Sequence, residues 1–179
     1  AEGERLAARP PVLRVAVFDD ARKAPPEVLP PLAKVAGAYT GPLVARRRAM
    51  AAGADEVVLL DAEGHVAEAP TANVFVVIGG ELLTPPLGRI LDGITRDSVL
   101  AVARAEGIPA REVPLSRQDL ERADEVFLAA SSFPVAPVAS VNGVATKHGA
   151  PGPVTARLKA VVLAAERGAD PRFAAWTVP

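Results

Sequence analysis

Cysteine is absent from this chain, and histidine, lysine and aromatic residues are scarce. Without cysteine, disulfide scaffolds, thiolate zinc sites, iron–sulfur clusters and cysteine nucleophiles are all excluded. The two histidines, His65 and His148, are too few to favour a metal site, so we expect no metal. Most of the positive charge is arginine, and the lysines are Lys23, Lys34, Lys147 and Lys159.

The sequence also has little net charge and no long apolar run. Lys+Arg 20 against Asp+Glu 21 leaves a net charge of -1, which supplies no positive field for a nucleic acid or an anionic membrane. The apolar runs are well short of the ~20 residues that a membrane span needs, and residues 1–14 do not have the form of a signal peptide. We therefore expect a cytoplasmic protein with no nucleic-acid or membrane partner.

The chain does have enough apolar residues for a core. Its 179 residues and 18.5 kDa correspond to one folding unit, with at most a small appendage. With 50% hydrophobic and 23% charged residues, wholesale disorder is excluded. The 18 prolines and the few amide side chains are typical of heat-stable proteins and favour a thermophilic source, although a GC-rich genome gives the same bias.

Turn residues divide the chain into short strands and helices. Apolar and β-branched runs predict strands over 12–18, 56–61, 73–78, 81–84, 125–129, 135–141 and 144–146. Helical periodicity and end signals predict helices over 42–53, 95–106 and 152–167. A further short helix is predicted where Ser116 and Asp119 have the form of a capping box variant. This mixture, with hairpin turns at 79–80 and 142–143, predicts an α+β domain in which helices wrap a mixed or antiparallel sheet. The proline-dense stretch 25–31 is interpreted as a linker.

Three local features indicate chemistry. Gly93 and Thr95 open the predicted 95–106 helix, where backbone N–H groups and a hydroxyl could hold a phosphate, although a glycine before a capped helix is also an ordinary turn. Glu68 precedes an apolar strand; inside the protein it needs a positive or donor partner, such as a protonated heteroaromatic nitrogen, whereas at a loop edge it would lie in water. Lys34 stands among Pro, Leu, Val and Ala, which would disfavour its ammonium form and prepare the amine for Schiff-base chemistry, although most lysines are solvated.

Taken together and in order, several motifs resemble the class IV pyridoxal-phosphate (PLP) enzymes. That family includes branched-chain aminotransferases, D-amino-acid aminotransferases and aminodeoxychorismate lyases, and the resemblance covers residues 12 to 168. The motifs are Lys34…Tyr39, Gly53-Ala54-Asp55-Glu56, Gly64…Glu68…Asn73-Val74-Phe75, Leu83-Thr84-Pro85-Pro86, Gly93-Ile94-Thr95-Arg96, Ala123-Asp124-Glu125-Val126-Phe127 and Pro137-Val138.

The resemblance implies a role for each matching residue. Lys34 would form the aldimine with PLP and shuttle a proton, and Glu68 would pair with the pyridine nitrogen and keep the ring protonated. Tyr39, Ser131 and Ser132 would border the substrate. The full set implied to bind the cofactor is Lys34, Glu68, Asn73, Leu91, Gly93, Ile94, Thr95 and Ser131. The fold implied is that of the C-terminal domain of D-amino-acid aminotransferase-like enzymes.

Two reactions remain open within this family. The sequence 130–133, Ala-Ser-Ser-Phe, leans towards aminodeoxychorismate lyase, which eliminates pyruvate and gives p-aminobenzoate. The 84–86, 152–155 and 172–176 segments lean towards branched-chain aminotransferases, which we favour, with an apolar amino acid and 2-oxoglutarate as substrates. A D-amino-acid aminotransferase and an inactive fragment are the remaining alternatives.

The resemblance also implies a domain organisation. Residues 1–33 would form a lead-in strand and an interdomain linker, and residues 34–179 would form the PLP-binding C-terminal domain. The smaller N-terminal domain of the family is not present in this chain, so we expect it in cis or as a separate chain. The resemblance to the family also implies that the protein is a homodimer.

Overall fold

The strands of this protein pair into one mixed sheet. A computed structural model describes residues 12–176, and within them there are nine strands. They are β1 (Leu13–Arg22), β2 (Glu56–Leu60), β3 (Glu68–Ala69), β4 (Ala72–Ile78), β5 (Glu81–Thr84), β6 (Ala110–Glu112), β7 (Glu125–Ala130), β8 (Phe133–Val141) and β9 (Val144–Ala145). The main strand order is β2-β1-β8-β7-β4-β5-β6. β1 runs parallel to β2 and β8, whereas β4, β5, β7 and β8 are joined by antiparallel pairs.

Residues 66–69 connect the β2 end of this order back to β4. Ala67 N–H donates to the Leu59 carbonyl at 2.9 Å, and Val66 pairs with Leu60 across an antiparallel bridge. The next residues form β3, which pairs with β4. The inner strands are therefore tied into a ring, and Glu68 lies on the segment that completes it.

Side-chain alternation along the strands gives the sheet two apolar faces. On β4, Val74 and Val76 pack inside the ring, whereas Phe75 and Val77 pack outside it. Phe75 stacks on Phe127 of β7 with ring centroids 4.9 Å apart. The outer face is covered by helices, so both faces are buried and the strands are almost continuously apolar.

Four α-helices cover the sheet: α1 (Thr40–Ala51), α2 (Ile94–Ala105), α3 (Arg117–Glu121) and α4 (Pro153–Glu166). Val99 and Val102 of α2 pack beside Leu158 and Val162 of α4 over the outer face. The capping box predicted for α3 is confirmed, because the Ser116 hydroxyl accepts from Asp119 N–H and the Asp119 carboxylate accepts from Ser116 N–H. Two 3-10 turns, Ala36–Tyr39 and Pro171–Trp176, complete the regular structure of the described residues.

The predicted α+β class, with a mixed sheet and helices around it, is confirmed, and three local differences stand out. β1 continues to Arg22 instead of ending before Asp19, because the Asp19 and Asp20 side chains are 80% and 70% exposed and reach water while their backbone stays in the strand. β3 and β6 were missed, since two or three residues carry no readable periodicity. The 3-10 turns were missed because their four and six residues make only one or two turns of such a helix.

The predicted lead-in strand is part of the sheet. β1 lies between β2 and β8, and its Leu13, Val15 and Val17 belong to the inner core. The boundary between residues 33 and 34 stays a prediction, and residues 1–11 lie outside the described part of the chain. Within residues 12–176, no helix has the length and apolar character needed to cross a bilayer.

Candidate active site

One cavity of about 870 Å³ lies where the ends of several strands meet. It is lined by residues 22–24, 29–34, 37–39, 41–42, 59, 68–73, 91–95 and 129–132. These segments are far apart in the chain and are brought together by the strand order. All of the candidate site residues line this cavity: Lys34, Tyr39, Glu68, Asn73, Leu91, Gly93, Ile94, Thr95, Ser131 and Ser132.

Glu68 is held in the cavity wall by three donors. Its side chain is only 12% exposed, so the interpretation in which it lies in water at a loop edge is wrong. Leu91 N–H donates to Oε2 at 3.0 Å, and Asn73 Nδ2 donates to the same oxygen at 3.2 Å. Lys23 Nζ donates to Oε1 in an ion pair. The expected positive or donor partner of an interior Glu68 is therefore present.

Lys23 is the site residue that sequence reasoning missed. It directly follows β1, its N–H donates to the Leu60 carbonyl at 2.8 Å, and its side chain is 17% exposed. Its scarcity as one of four lysines, at the end of an apolar strand, was the only signal in the sequence. The contact with Glu68 spans 45 residues and depends on how β1, β2 and β3 pair.

The ionisation of Glu68 reflects opposing effects. Burial raises the pKa of the Glu68 carboxyl, while the Lys23 charge, the Lys23 hydrogen bond and the Leu91 N–H lower it. Burial dominates, so the pKa stays above the ordinary glutamate value. Glu68 is therefore a carboxylate whose charge depends on its neighbours.

Lys34 lies on the segment between residues 29 and 39, which has no regular structure before the 3-10 turn Ala36–Tyr39. It lines the cavity, but it is exposed. The expected apolar enclosure of its amine is wrong for the described residues, because Leu32 and Val35 beside it are themselves 61% and 46% exposed. Tyr39 is half-buried at the end of the turn and faces the same cavity. Residues 29–31, the last part of the proline-dense stretch 25–31, thus contribute to the cavity wall.

The N-terminus of α2 forms another part of the wall. Gly93 is the N-cap with φ -86°, and the first N–H groups of the helix have no partner within the helix. Thr95 is buried, and its Oγ1 lies 3.5 Å from Ser131 Oγ, which is longer than an ordinary O–H···O hydrogen bond. Both hydroxyls can therefore turn to one shared acceptor. Ser131 and Ser132 form the tight turn between β7 and β8.

Leu91 has a backbone role that its side chain did not indicate. Its N–H holds Glu68, and its carbonyl accepts from Asn73 Nδ2 at 3.0 Å. Asn73 thereby joins the Glu68 carboxylate to the loop that precedes α2. An added Cβ at Gly93 would overlap the Asn73 Oδ1 atom, so the loop can approach Asn73 only because residue 93 is glycine.

The cavity can bind a ligand with three different polar ends. The carboxylate of Glu68 suits a cationic N–H, and the α2 N-terminus with Thr95 and Ser131 suits an anion. The exposed amine of Lys34 suits a carbonyl carbon.

Comparison with known proteins assigns the chain to a family. The model of the amino-transferase class IV family matches residues 4–141. The match covers most of the chain, so the chain belongs to the class IV aminotransferase family.

The relatives with the most specific names are branched-chain aminotransferases. A probable branched-chain-amino-acid aminotransferase from Aquifex aeolicus is 37% identical over 148 residues, which cover 82% of this chain and 48% of that protein. The Escherichia coli (strain K12) branched-chain-amino-acid aminotransferase is 39% identical over 138 residues, covering 76% and 45%. The chain therefore spans about half the length of these curated relatives.

Solved structures agree in fold. The branched-chain amino acid aminotransferase from Thermobaculum terrenum, in its PLP form, has a TM-score of 0.91 at 34% identity, over 94% of this chain and 55% of that one. A second branched-chain amino acid aminotransferase, from T.th. and complexed with N-(5'-phosphopyridoxyl)-L-glutamate, has a TM-score of 0.88 at 37% identity, over 93% and 55%. The fold implied by the sequence motifs is thus confirmed.

Proposed function

We propose that this chain forms the cofactor-binding part of a PLP-dependent aminotransferase that moves the amino group of a branched-chain or similar apolar amino acid to 2-oxoglutarate. The observation that carries the proposal is one cavity lined by an exposed lysine, a carboxylate only 12% exposed, a hydroxyl at a helix N-terminus and a second hydroxyl 3.5 Å from it. Membership of the class IV family supports it.

The donor set of the cavity fits PLP. A carboxylate has roughly four lone-pair sites, and three donors already contact Glu68. One site is therefore left, and it would accept from the protonated ring nitrogen. Thr95, Ser131 and the N–H groups at the start of α2 would hold the phosphate. Leu91 would contact the ring, with Asn73 and Gly93 keeping its backbone in place.

When bound, PLP supplies an electrophilic carbon for an amino group and a ring that takes up electrons from the substrate Cα. Lys34 would bind that carbon through Nζ and afterwards carry a proton on Nζ to and from the substrate. Its exposure leaves the side chain free to change partners. Tyr39 and Ser132, which also line the cavity, would border the substrate.

The choice of substrates rests on the relatives. Both curated relatives and both solved structures described above are branched-chain aminotransferases, which does not favour the lyase or the D-amino-acid alternative. The second solved structure contains a phosphopyridoxyl-glutamate, which supports glutamate and 2-oxoglutarate as the second pair. The reaction is proposed for the whole protein of which this chain is a part. We also propose that residues 34–179 form the cofactor-binding domain and that the protein is a homodimer.

The first test locates the covalent attachment. Purified protein is incubated with PLP, reduced with borohydride and digested, and the phosphopyridoxyl mass is assigned to a peptide. We expect the label on Lys34, together with a visible absorption band that Lys34→Ala loses. Lys159→Ala is the matched control, since Lys159 lies on α4 away from the cavity. A label on Lys23, or a band unchanged in Lys34→Ala, would overturn the assignment.

The second test measures the reaction. The protein is supplied with 2-oxoglutarate and leucine, isoleucine or valine, and glutamate formation is followed; aminodeoxychorismate is offered in parallel and pyruvate is measured. Glutamate formation that depends on Lys34 supports transfer. Pyruvate without glutamate would overturn it in favour of elimination, and neither product from PLP-loaded protein would refute both reactions.

A further inference from the structure

We propose that Lys23 is a positioning residue, which holds the Glu68 carboxylate ionised and oriented in the cavity wall so that it can pair with a cationic heteroaromatic ring. This inference rests on the proposed function for the identity of the ring, whereas its effect on Glu68 does not require a ligand.

The geometry of Lys23 is fixed from its backbone outward. It leaves β1 beside β2, where its N–H is bound to the Leu60 carbonyl at 2.8 Å. Its mostly buried side chain then reaches Glu68 on β3. Ordering a lysine side chain in such a position costs rotamer entropy, and the backbone bond to β2 keeps this side chain within reach of Glu68.

The division of donors between the two carboxylate oxygens shows what Lys23 adds. Asn73 and Leu91 both bind Oε2, and Lys23 alone of these three binds Oε1. The two neutral donors fix one oxygen but do not balance a full charge. Among residues 12–176, Lys23 is the cation in contact with Glu68, so it supplies both the second anchor and the counter-charge.

Electrostatics makes that counter-charge important. A carboxylate at 12% exposure is disfavoured by burial, and leaving it without a partner shifts it towards the neutral acid. A neutral acid would be a poor partner for a cationic ring. With Lys23 in place, Glu68 remains an acceptor and still has a lone pair for another N–H.

In the described part of the chain, Glu68 forms no ion pair with the other charged groups that line the cavity. Arg22, Lys34 and Asp92 also line it, from the end of β1, the 29–39 segment and the loop before α2. Arg22 is engaged elsewhere, because its guanidinium donates to the Ala62 carbonyl at 2.6 Å. Lys23 is therefore the group whose removal should move the titration of Glu68.

The test compares the Glu68 titration in ligand-free parent, Lys23→Met and Lys23→Arg proteins. The δ-carboxyl carbon of Glu68, assigned with Glu68→Gln, is followed by 13C NMR across the acidic and neutral range. We expect Lys23→Met to raise the midpoint by about one pH unit or more, and Lys23→Arg to restore most of the difference. Lys147→Met is the matched control, because it removes an ion pair with Asp124 outside the cavity and should leave the midpoint unchanged. An unchanged midpoint in Lys23→Met would overturn the proposal.

A second measurement covers the case in which Lys23→Met does not fold. Reductive methylation of Lys23 is timed in the parent and in Glu68→Gln, and we expect Lys23 to react several-fold faster once the carboxylate is gone. Equal rates would refute the pairing. Both measurements are made without PLP, so their outcome does not depend on the proposed function. If PLP fails to bind Lys34, the proposed function is overturned, but the result for Lys23 still stands.

Discussion

At the residue scale, the site depends on a close approach between a loop and a strand. Gly93 stands against Asn73, Asn73 binds Leu91, and both Asn73 and Leu91 bind Glu68. One carboxylate oxygen, Oε2, is therefore held by neighbours that do not themselves carry charge. A change that displaces Asn73 should disturb Glu68 without touching it.

Gly93→Ala tests this chain of contacts. The new Cβ would overlap Asn73 Oδ1 and lie 3.3 Å from its Cγ, so Asn73 has to move, and such overpacking costs about 1–3 kcal/mol. We expect urea unfolding to give a free energy of unfolding lower by that amount, and we expect a weaker retention of PLP.

Gly37→Ala is the control for this prediction. Gly37 also lines the cavity, but nothing lies within 4 Å of an added Cβ there. Its stability should change by less than about 0.5 kcal/mol. If the two variants lose the same free energy of unfolding, the contact between Gly93 and Asn73 does not contribute more to stability than any other position in the cavity wall.

Sequence reasoning identified the site residues better than their surroundings. The residues with recognisable motifs, such as Lys34, Glu68 and Thr95, line the cavity as a group. Lys23 was missed because the group that it contacts, Glu68, lies 45 positions away in the sequence. No local sequence pattern shows which strand ends become neighbours in the fold. Of the two alternatives for Lys34, the structure has the exposed one, because apolar neighbours in sequence do not have to enclose a side chain in space.

At the element scale, turn and capping chemistry predicted more than periodicity did. The hairpin turn at 79–80 and the 142–143 turn join the expected strands, and Asn142 has a positive φ of 48° as such turns require. The elements that were missed, β3 and β6, are held by pairing with longer strands and not by their own propensity.

The capping box of α3 carries a pH-dependent contribution to stability. Burial alone would raise the pKa of the Asp119 carboxyl, but hydrogen bonds from Ser116 and Arg122 outweigh it and hold the pKa below the ordinary aspartate value. Because the folded pKa is lowered, the stabilisation is complete above the ordinary aspartate pKa and is lost as the pH falls through the lowered folded pKa.

Asp119→Asn should therefore destabilise the protein by about 1 kcal/mol near neutral pH, and the difference from the parent should shrink in acid. Urea unfolding at a series of pH values measures it. Asp97→Asn is the control, because Asp97 also lies in the first turn of a helix but is 64% exposed and caps nothing, so we expect less than about 0.5 kcal/mol. A difference that stays constant with pH would contradict the assigned role of the Asp119 charge.

At the scale of the whole molecule, the class was predictable and the topology was not. Alternating strands, hairpins and helices indicate an α+β domain, but β1 pairs in parallel with both β2 and β8, and β8 lies more than a hundred residues away. Such contacts are set by burial of the inner core, where Val15, Val58 and Val138 meet. The cavity follows from this topology, since it is built from the ends of strands that only the assembled sheet brings together.

Because the cavity walls come from segments across most of the described chain, a ligand bound there should stabilise the fold as a unit. A ligand at about 100 times its Kd stabilises the native state by about 2.7 kcal/mol. For a chain of this size, that corresponds to a rise in the thermal midpoint of roughly 5–10 °C. We expect PLP to produce such a shift and pyridoxal, which lacks the phosphate, to produce a smaller one at the same concentration.

Thr95→Ala combined with Ser131→Ala separates the contribution of the phosphate end. Removing both hydroxyls should bring the PLP shift down towards that of pyridoxal and leave the pyridoxal shift nearly unchanged, because pyridoxal has no group for them to hold. Ser98→Ala is the control, since its hydroxyl donates to the Ile94 carbonyl within α2 and does not line the cavity. Differential scanning fluorimetry of the three proteins with each ligand gives the comparison. Equal PLP shifts in the parent and the double variant would mean that the phosphate lies elsewhere, and the proposed orientation of the cofactor in this cavity would have to be abandoned.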